Sequence, residues 1–258
     1  MNRPASDTFL SEDIARGVLT IRLGAAPAHP LSLAMIRDLH AALDRAAGEA
    51  EVRLVVIEGR GHIFCAGHDL KEIARHRADA DHGRGYLTEL FEACGAMMQA
   101  LVALPQPSVA RVEGIATAGG LQLMCSCDMA FCTPEATFAL PGVRNGGFCT
   151  TPAVAVGRVI GRRHLMELAL QGRPVDAAWA ARTGLVNAVA PAEEIDARIA
   201  ALAEAVTGGV PEAIAAGKRM THAQLDMPLA EAYAAATEVM IGHFMDPARI
   251  ERERQRWA

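Results

Sequence analysis

Two stretches decide the reading of this chain: Ile63-Phe64-Cys65-Ala66-Gly67-His68-Asp69-Leu70-Lys71-Glu72 and, further on, Gly114-Ile115-Ala116-Thr117-Ala118-Gly119-Gly120-Leu121. Each follows an apolar, β-branched run that reads as a buried strand, Leu54-Val55-Val56-Ile57 and Ser108-Val109-Ala110-Arg111-Val112. Each then enters a helical pattern. Two strand-to-helix turns built from small residues can aim two backbone N–H groups at one point. That is an oxyanion hole, which stabilises charge developing on a carbonyl oxygen. Glycine suits such turns because a Cβ blocks close approach or demands an unfavourable φ.

Outward from these turns the chain alternates strand and helix patterns. Val18 to Leu23 alternates like a strand, and Ser32 reads as the N-cap of an Ala-rich helix ending near Gly48. A strand over Leu54 to Glu58 follows, then the first turn. The βα order continues to about Val189, which predicts α/β architecture. The polar stretch from Ala74 to Gly85 reads either as a mobile lid over the site or as an ordinary solvated connection. After Pro191 the pattern is helical, with breaks near Gly208-Gly209, at Pro211 and at Met227-Pro228. The expected division is therefore a core over residues 1–190 and a helical region over 191–258. The run from Ile250 to Trp257 reads as a charge-mixed helix end, with Trp257 a candidate anchor.

The formal net charge of −5 offers no field for nucleic acid or an anionic membrane, and 4% aromatic residues offer no base-stacking platform. No apolar run reaches the length of a membrane span. Met1 to Asp7 lacks the apolar core of a signal peptide, which predicts a cytoplasmic protein. The six cysteines show no paired metal spacing and sit mostly in apolar surroundings, so they read as reduced core thiols.

The two turns resemble the crotonase (enoyl-CoA hydratase/isomerase) superfamily. The likeness continues through Cys127-Asp128-Met129-Ala130, Ala136 to Pro141, Gly172 to Ala177 and Gly184 to Val189, and spans roughly Asp13 to Phe244. Ala136 to Pro152 and Gly67 to Glu72 further resemble the enoyl-CoA hydratase domain-containing protein 3 group. The resemblance implies a spiral of ββα units, an acyl-CoA thioester as substrate and no cofactor or metal beyond the coenzyme A that the substrate carries. It also implies a helical C-terminal region that builds a homotrimer or a dimer of trimers, and a place in fatty acid metabolism.

Carried over residue by residue, the resemblance puts the two oxyanion donors at the N–H groups of His68 and Gly119. Ala66, Lys71, Gly120, Gly142, Arg144 and Cys149 then line the substrate, with Lys71 near the CoA phosphates. Asp69 reads as a helix cap. His29-Pro30 departs from the family's segment at the adenine end, and Pro30 lacks a backbone donor. The decisive departures concern two glutamates that manage the water in hydratases. Their positions here are Gln122, which has no titratable proton, and Gly142, which has no side chain. A general acid or base contributes about 10²–10⁴-fold, so hydration is expected to be slow, and restoring both acids to raise it if the pocket is otherwise intact. Candidates to substitute are His68, Arg144, Asn145, Cys149, His76 and His82. Ala-Gly-His-Asp also resembles methylmalonyl-CoA decarboxylase, although that enzyme carries a tyrosine near the position of Cys149. The readings left open are an enzyme that stabilises a thioester enolate, nominally an enoyl-CoA hydratase, a decarboxylase-like member, and a non-catalytic acyl-CoA binder. A serine peptidase sharing the spiral fold is set aside, because Thr117-Ala118-Gly119-Gly120 holds no serine.

Overall fold

The computed structural model describes residues 9–257. The residues 1–8 behind the targeting expectation lie outside that range, as does the side chain of the proposed anchor Trp257. Two sheets carry the fold. The larger has six strands: β1 (Leu10–Ala15), β2 (Val18–Leu23), β3 (Leu54–Gly59), β5 (Ser108–Val112), β7 (Met129–Cys132) and β10 (Ala188–Val189), in that spatial order. Only the β1–β2 pair is antiparallel. The smaller sheet has β4 (Ile63–Cys65), β6 (Ile115–Thr117) and β8 (Thr137–Ala139) in parallel, with β9 (Val175–Asp176) antiparallel at its edge.

Each winding of the chain gives one strand to the large sheet, the next to the small sheet, and then a helix. The pairs β3–β4, β5–β6 and β7–β8 are three such windings, the ββα spiral that the resemblance implied. Leu54 to Ile57 are all buried, as a parallel strand covered on both faces requires. The alternation of Val18–Leu23 puts Leu19, Ile21 and Leu23 in the interior. There they meet α1 (Leu33–Gly48) through Met35, Ile36, Leu39 and Leu43, and α3 (Arg84–Ala103) through Leu90 and Met97. Ser32 caps α1 by accepting the Met35 N–H at 3.1 Å. On the other face of the large sheet, Leu54, Val56, Val109 and Phe131 pack on Ile195 and Ile199 of α8 (Ala192–Thr207).

The polar stretch expected as a lid or plain connection is built structure. Helix α2 (Leu70–Arg75) runs into a 3₁₀ turn, His76–Ala78, whose His76 ring stacks on Tyr86 at 3.9 Å and 6°. Asp81 accepts the N–H groups of Gly83 at 2.9 Å and Gly85 at 2.7 Å, which closes the entry to α3. The C-terminal region continues α8 with α9 (Pro211–Ala223), α10 (Leu229–Phe244) and α11 (Pro247–Trp257). Arg53 fastens the α8–α9 turn through the carbonyls of Val206 and Gly209, and Lys218 of α9 pairs with Asp128 at 2.7 Å. Among the described residues no single helix is long and apolar enough to cross a membrane.

Candidate functional site

The two glycine turns meet. Gly67 has φ +85°, and a Cβ built on it lies 2.9 Å from the backbone nitrogen of Gly119. A Cβ on Gly119 would stand 3.4 Å from the Gly67 Cα, 3.3 Å from His68 Cε1 and 3.2 Å from Leu31 Cδ1. Any side chain at either position would fill the space between the turns.

The first turn is held by a single parallel bridge to Leu31. The Leu31 N–H donates to the Gly67 carbonyl at 2.8 Å, and the Asp69 N–H donates to the Leu31 carbonyl at 3.3 Å. Such a bridge uses the groups flanking His68, so those of His68 face away from it. Among the described residues the His68 N–H has no hydrogen-bond partner. Asp69 then caps α2, accepting the N–H groups of Lys71 at 2.8 Å and Glu72 at 3.2 Å. The second turn pivots on Ala118, at φ 51° and ψ −119°. That positive-φ conformation lies outside the left-handed helical well and costs a non-glycine residue about 1–3 kcal/mol. The Ala118 N–H is satisfied by the Ala139 carbonyl at 3.0 Å, which pins the strained residue in place. Helix α4 (Gly119–Ser126) starts immediately after it and is buried throughout. The Gly119 N–H at its head likewise has no partner among the described residues.

Side chains around the turns are few. His68 is half-buried, with its ring edge-on to Phe91 at 4.9 Å and 71°. Burial pushes its pKa down to about 4, so the ring is neutral at physiological pH. Its Nε2 is buried without a partner, and so is Oε1 of Gln122 on α4. A surface cavity of about 510 Å³ is lined by Phe91 together with Arg77, His82, Arg84 and Leu87. The larger cavity of about 980 Å³ is elsewhere, under α8 on the outer face of the large sheet. Ion pairs of Arg22 with Glu58 and of Arg111 with Asp196, both at 2.7 Å, lie along it.

Several expected substrate contacts have other surroundings. A Cβ on Gly120 would sit 2.0 Å from the Cys65 carbonyl oxygen, so this glycine serves helix–strand packing. Arg144 is exposed, its stem alongside Gly172. Lys71 is exposed in the first turn of α2, and the N–H of Ala66 is spent on the Ala28 carbonyl at 3.0 Å. Gly142 lies in a 3₁₀ turn over which the chain folds back, donating its N–H to Cys149 Sγ at 3.2 Å and accepting that of Gly147 at 2.9 Å. Burial raises the pKa of the Cys149 thiol, partly offset by that N–H, which leaves it a poor nucleophile. Five other thiols are buried and unpaired. His76 is engaged by Tyr86 and by Asp79 at 2.8 Å. His29 is buried with both ring nitrogens against carbonyls, Gly24 at 2.8 Å and Arg60 at 2.9 Å, so the departure at this segment ties two loops together. Leu31 and Phe91 are the neighbours that the sequence did not point to. Only the bridge and the packing of α3 bring them to His68.

Residues 13–258 match the enoyl-CoA hydratase/isomerase family. The chain belongs to that family. It is 37% identical over 211 residues to the mitochondrial enoyl-CoA hydratase domain-containing protein 3 of Rattus norvegicus, a match covering 82% of this chain and 69% of the relative. Among solved structures, an enoyl-CoA hydratase/isomerase family protein from Silicibacter pomeroyi superposes with a TM-score of 0.87 at 52% identity, covering 92% of this chain and all of that one. Human enoyl-CoA hydratase domain-containing protein 3 superposes with a TM-score of 0.88 at 30% identity, covering 95% and 96%. The two-sheet spiral is the crotonase fold, as the motifs implied, and the kinship with the domain-containing protein 3 group holds. The cytoplasmic expectation does not stand. The rat relative and its mouse and human counterparts are mitochondrial proteins, and the composition of the first residues was no guide to compartment.

Proposed function

We propose that the chain processes acyl-CoA thioesters by holding the thioester carbonyl oxygen between the N–H groups of His68 and Gly119. One observation carries this reading: two turns in contact each present a backbone N–H without a partner, and one is aimed by the strained Ala118. A backbone N–H without a protein partner is free to meet an acceptor, and two of them on adjoining turns suit one oxygen. An enolate formed at the α-carbon puts its charge on that oxygen. Each donor is worth about 2.7–4 kcal/mol to such a transition state. The dipole of α4 adds to the Gly119 side.

The chemistry is not hydration at a hydratase's rate. Gln122 carries no proton to give, and Gly142 has neither a side chain nor room for one. His68, neutral and half-buried, suits hydrogen-bond donation better than proton storage. The same absence of acid–base groups favours a second reading, a binder that keeps the thioester pocket without turnover. A mass-spectrometric screen over a panel of acyl-CoAs separates the two. Gly119→Pro removes one donor and is expected to lower any turnover by about 10²–10³-fold, with melting checked alongside. Gly119→Ala keeps the N–H but places a methyl in the space between the turns, so it is expected to weaken thioester binding by crowding. Full activity in a folded Gly119→Pro protein would overturn the proposal.

For assembly we propose a homotrimer or a dimer of trimers. Large apolar side chains stand exposed on α5 (Thr150–Val159), α6 (Arg162–Gln171) and α10, among them Val154, Leu170, Leu229, Tyr233, Met240 and Phe244. Apolar surface of that extent in a monomer argues for a partner, and a second copy of the chain fits it.

A further inference from the structure

We propose that the cavity under α8 is a second ligand site, which takes a free alkyl carboxylate of medium chain length. It lies on the outer face of the large sheet, whereas both glycine turns follow strands of the small sheet. Its volume of about 980 Å³ is at the upper end of the range of small-molecule sites, about 300–1,000 Å³. Strand alternation sorts its lining. The β2 residues that alternate with Leu19, Ile21 and Leu23 are Val18, Thr20 and Arg22, and all three line the cavity. Register sets Thr20 beside Val56 and Arg22 beside Glu58 on β3. Ile199 and Ala203 of α8 supply further apolar wall. The lining therefore grades from apolar at Val18 to charged at Arg22. That four-residue span is roughly 13 Å along the strand, the length of an extended chain of about ten carbons.

The charged end has donors to spare, and its carboxylates are engaged. Glu58 accepts from Arg22 Nε at 2.7 Å and stands 3.8 Å from Arg111 Nε. Glu113 and Asp196, the other carboxylates at this end, both pair with Arg111, Asp196 at 2.7 Å. Among the described residues the two Nη groups of Arg22 and the guanidinium of Arg60 make no hydrogen bond. The Arg22 side chain is only 27% exposed, so its free donors are partly withdrawn from water. A carboxylate complements such donors, and the planar guanidinium fork suits its two oxygens. An ammonium would meet acceptors already spent on arginine. At the far rim Arg16 and Glu204 are of opposite sign and confer no net preference. The alkyl tail then lies along Val56, Val18, Ile199 and Ala203, and its burial supplies most of the affinity.

The test is calorimetric titration of the full chain with decanoate, butyrate and decyltrimethylammonium, with and without saturating butyryl-CoA. Decanoate is expected to bind once per chain, at least about tenfold tighter than either of the others, and to be indifferent to butyryl-CoA. Arg22→Met leaves Glu58 to Arg111 and should weaken decanoate at least about tenfold, as the loss of charged hydrogen bonds does. Ala200→Phe fills the cavity from an exposed helical position and should abolish binding. Ala205→Phe, exposed on the same helix but outside the cavity, should leave it unchanged, with melting checked for all variants. Displacement of decanoate by butyryl-CoA, or equal binding by the two phenylalanine variants, puts the ligand elsewhere and overturns the site. Tighter binding of the ammonium overturns the choice of a carboxylate, and equal binding of butyrate overturns the alkyl slot. Absence of decanoate binding overturns the proposal outright, and a changed sedimentation of Ala200→Phe would then assign the cavity to a second copy of the chain.

Discussion

A Cβ on Gly142 would stand 2.6 Å from the backbone nitrogen of Cys149 and 2.8 Å from the Cα of Phe148. The backbone of Phe148 and Cys149 therefore occupies the space that a side chain at 142 would enter. The loss of the second glutamate is not a simple deletion from an otherwise intact hydratase pocket. The expectation that restoring both acids raises hydration requires an otherwise intact pocket, and this geometry does not meet that condition.

Gln122→Glu with Gly142→Glu should leave crotonyl-CoA hydration as slow as in the unmodified chain. Gly142→Ala alone should lower stability by about 1–3 kcal/mol, as overpacking does. Urea denaturation and a hydration assay check both. A large gain in hydration by the double variant would show that the loop yields easily.

The His68 ring carries a pH signature. Its pKa falls from 6.5 to about 4 on folding because burial disfavours the charged form. The unfolded chain therefore binds the extra proton between those values, and stability is lost as pH drops through that window. The contribution at stake is at most about 3 kcal/mol. Unfolding of the unmodified protein should weaken more between pH 7 and 4.5 than that of His68→Phe. Parallel losses in the two proteins would contradict the burial of a neutral imidazole.

Asp128 joins the spiral to the helical region. Its Oδ2 accepts from the Ser108 N–H at 2.8 Å and the Ser108 hydroxyl at 2.9 Å, and pairs with Lys218, whose side chain is 9% exposed. Asp128→Ala leaves that ammonium with the Gln106 carbonyl, to which it donates at 3.0 Å, and removes the Ser108 bonds; it should cost about 1–3 kcal/mol. Lys218→Met should cost less, since it leaves the Ser108 bonds in place. Equal effects of the two would show that the Ser108 bonds contribute little.

Sedimentation at micromolar concentration should return a trimer or its double. Charged replacements at Leu229 and Tyr233, 74% and 70% exposed in the single chain, should dissociate it if they lie in the interface. A stable monomer for the unmodified chain would contradict the assembly proposal.

What the sequence revealed was local. The two turns, the cap by Ser32, the cap by Asp69 and the breaks after Pro191 depend on neighbours within a few residues, and each is where its residue chemistry put it. The family motifs carried the fold because both glycine turns are part of it. Features set by distant packing were not legible. The fold-back of Phe148 and Cys149 over Gly142, the stacking of His76 on Tyr86 and the approach of Phe91 to His68 join separate elements. No periodicity or motif marks those contacts. The resemblance put Gly120 and Gly142 against the substrate, and no sequence signal announced that a Cβ on them would meet the Cys65 carbonyl oxygen and the backbone of Phe148 and Cys149.

The most direct measurement is the infrared carbonyl stretch of a ¹³C-labelled thioester, such as butyryl-CoA, in the bound state. Two N–H donors on its oxygen weaken the C=O bond, so the band should move to lower frequency on binding and move part of the way back in Gly119→Pro. A bound thioester whose carbonyl band matches that in buffer would contradict the placement of its oxygen between His68 and Gly119.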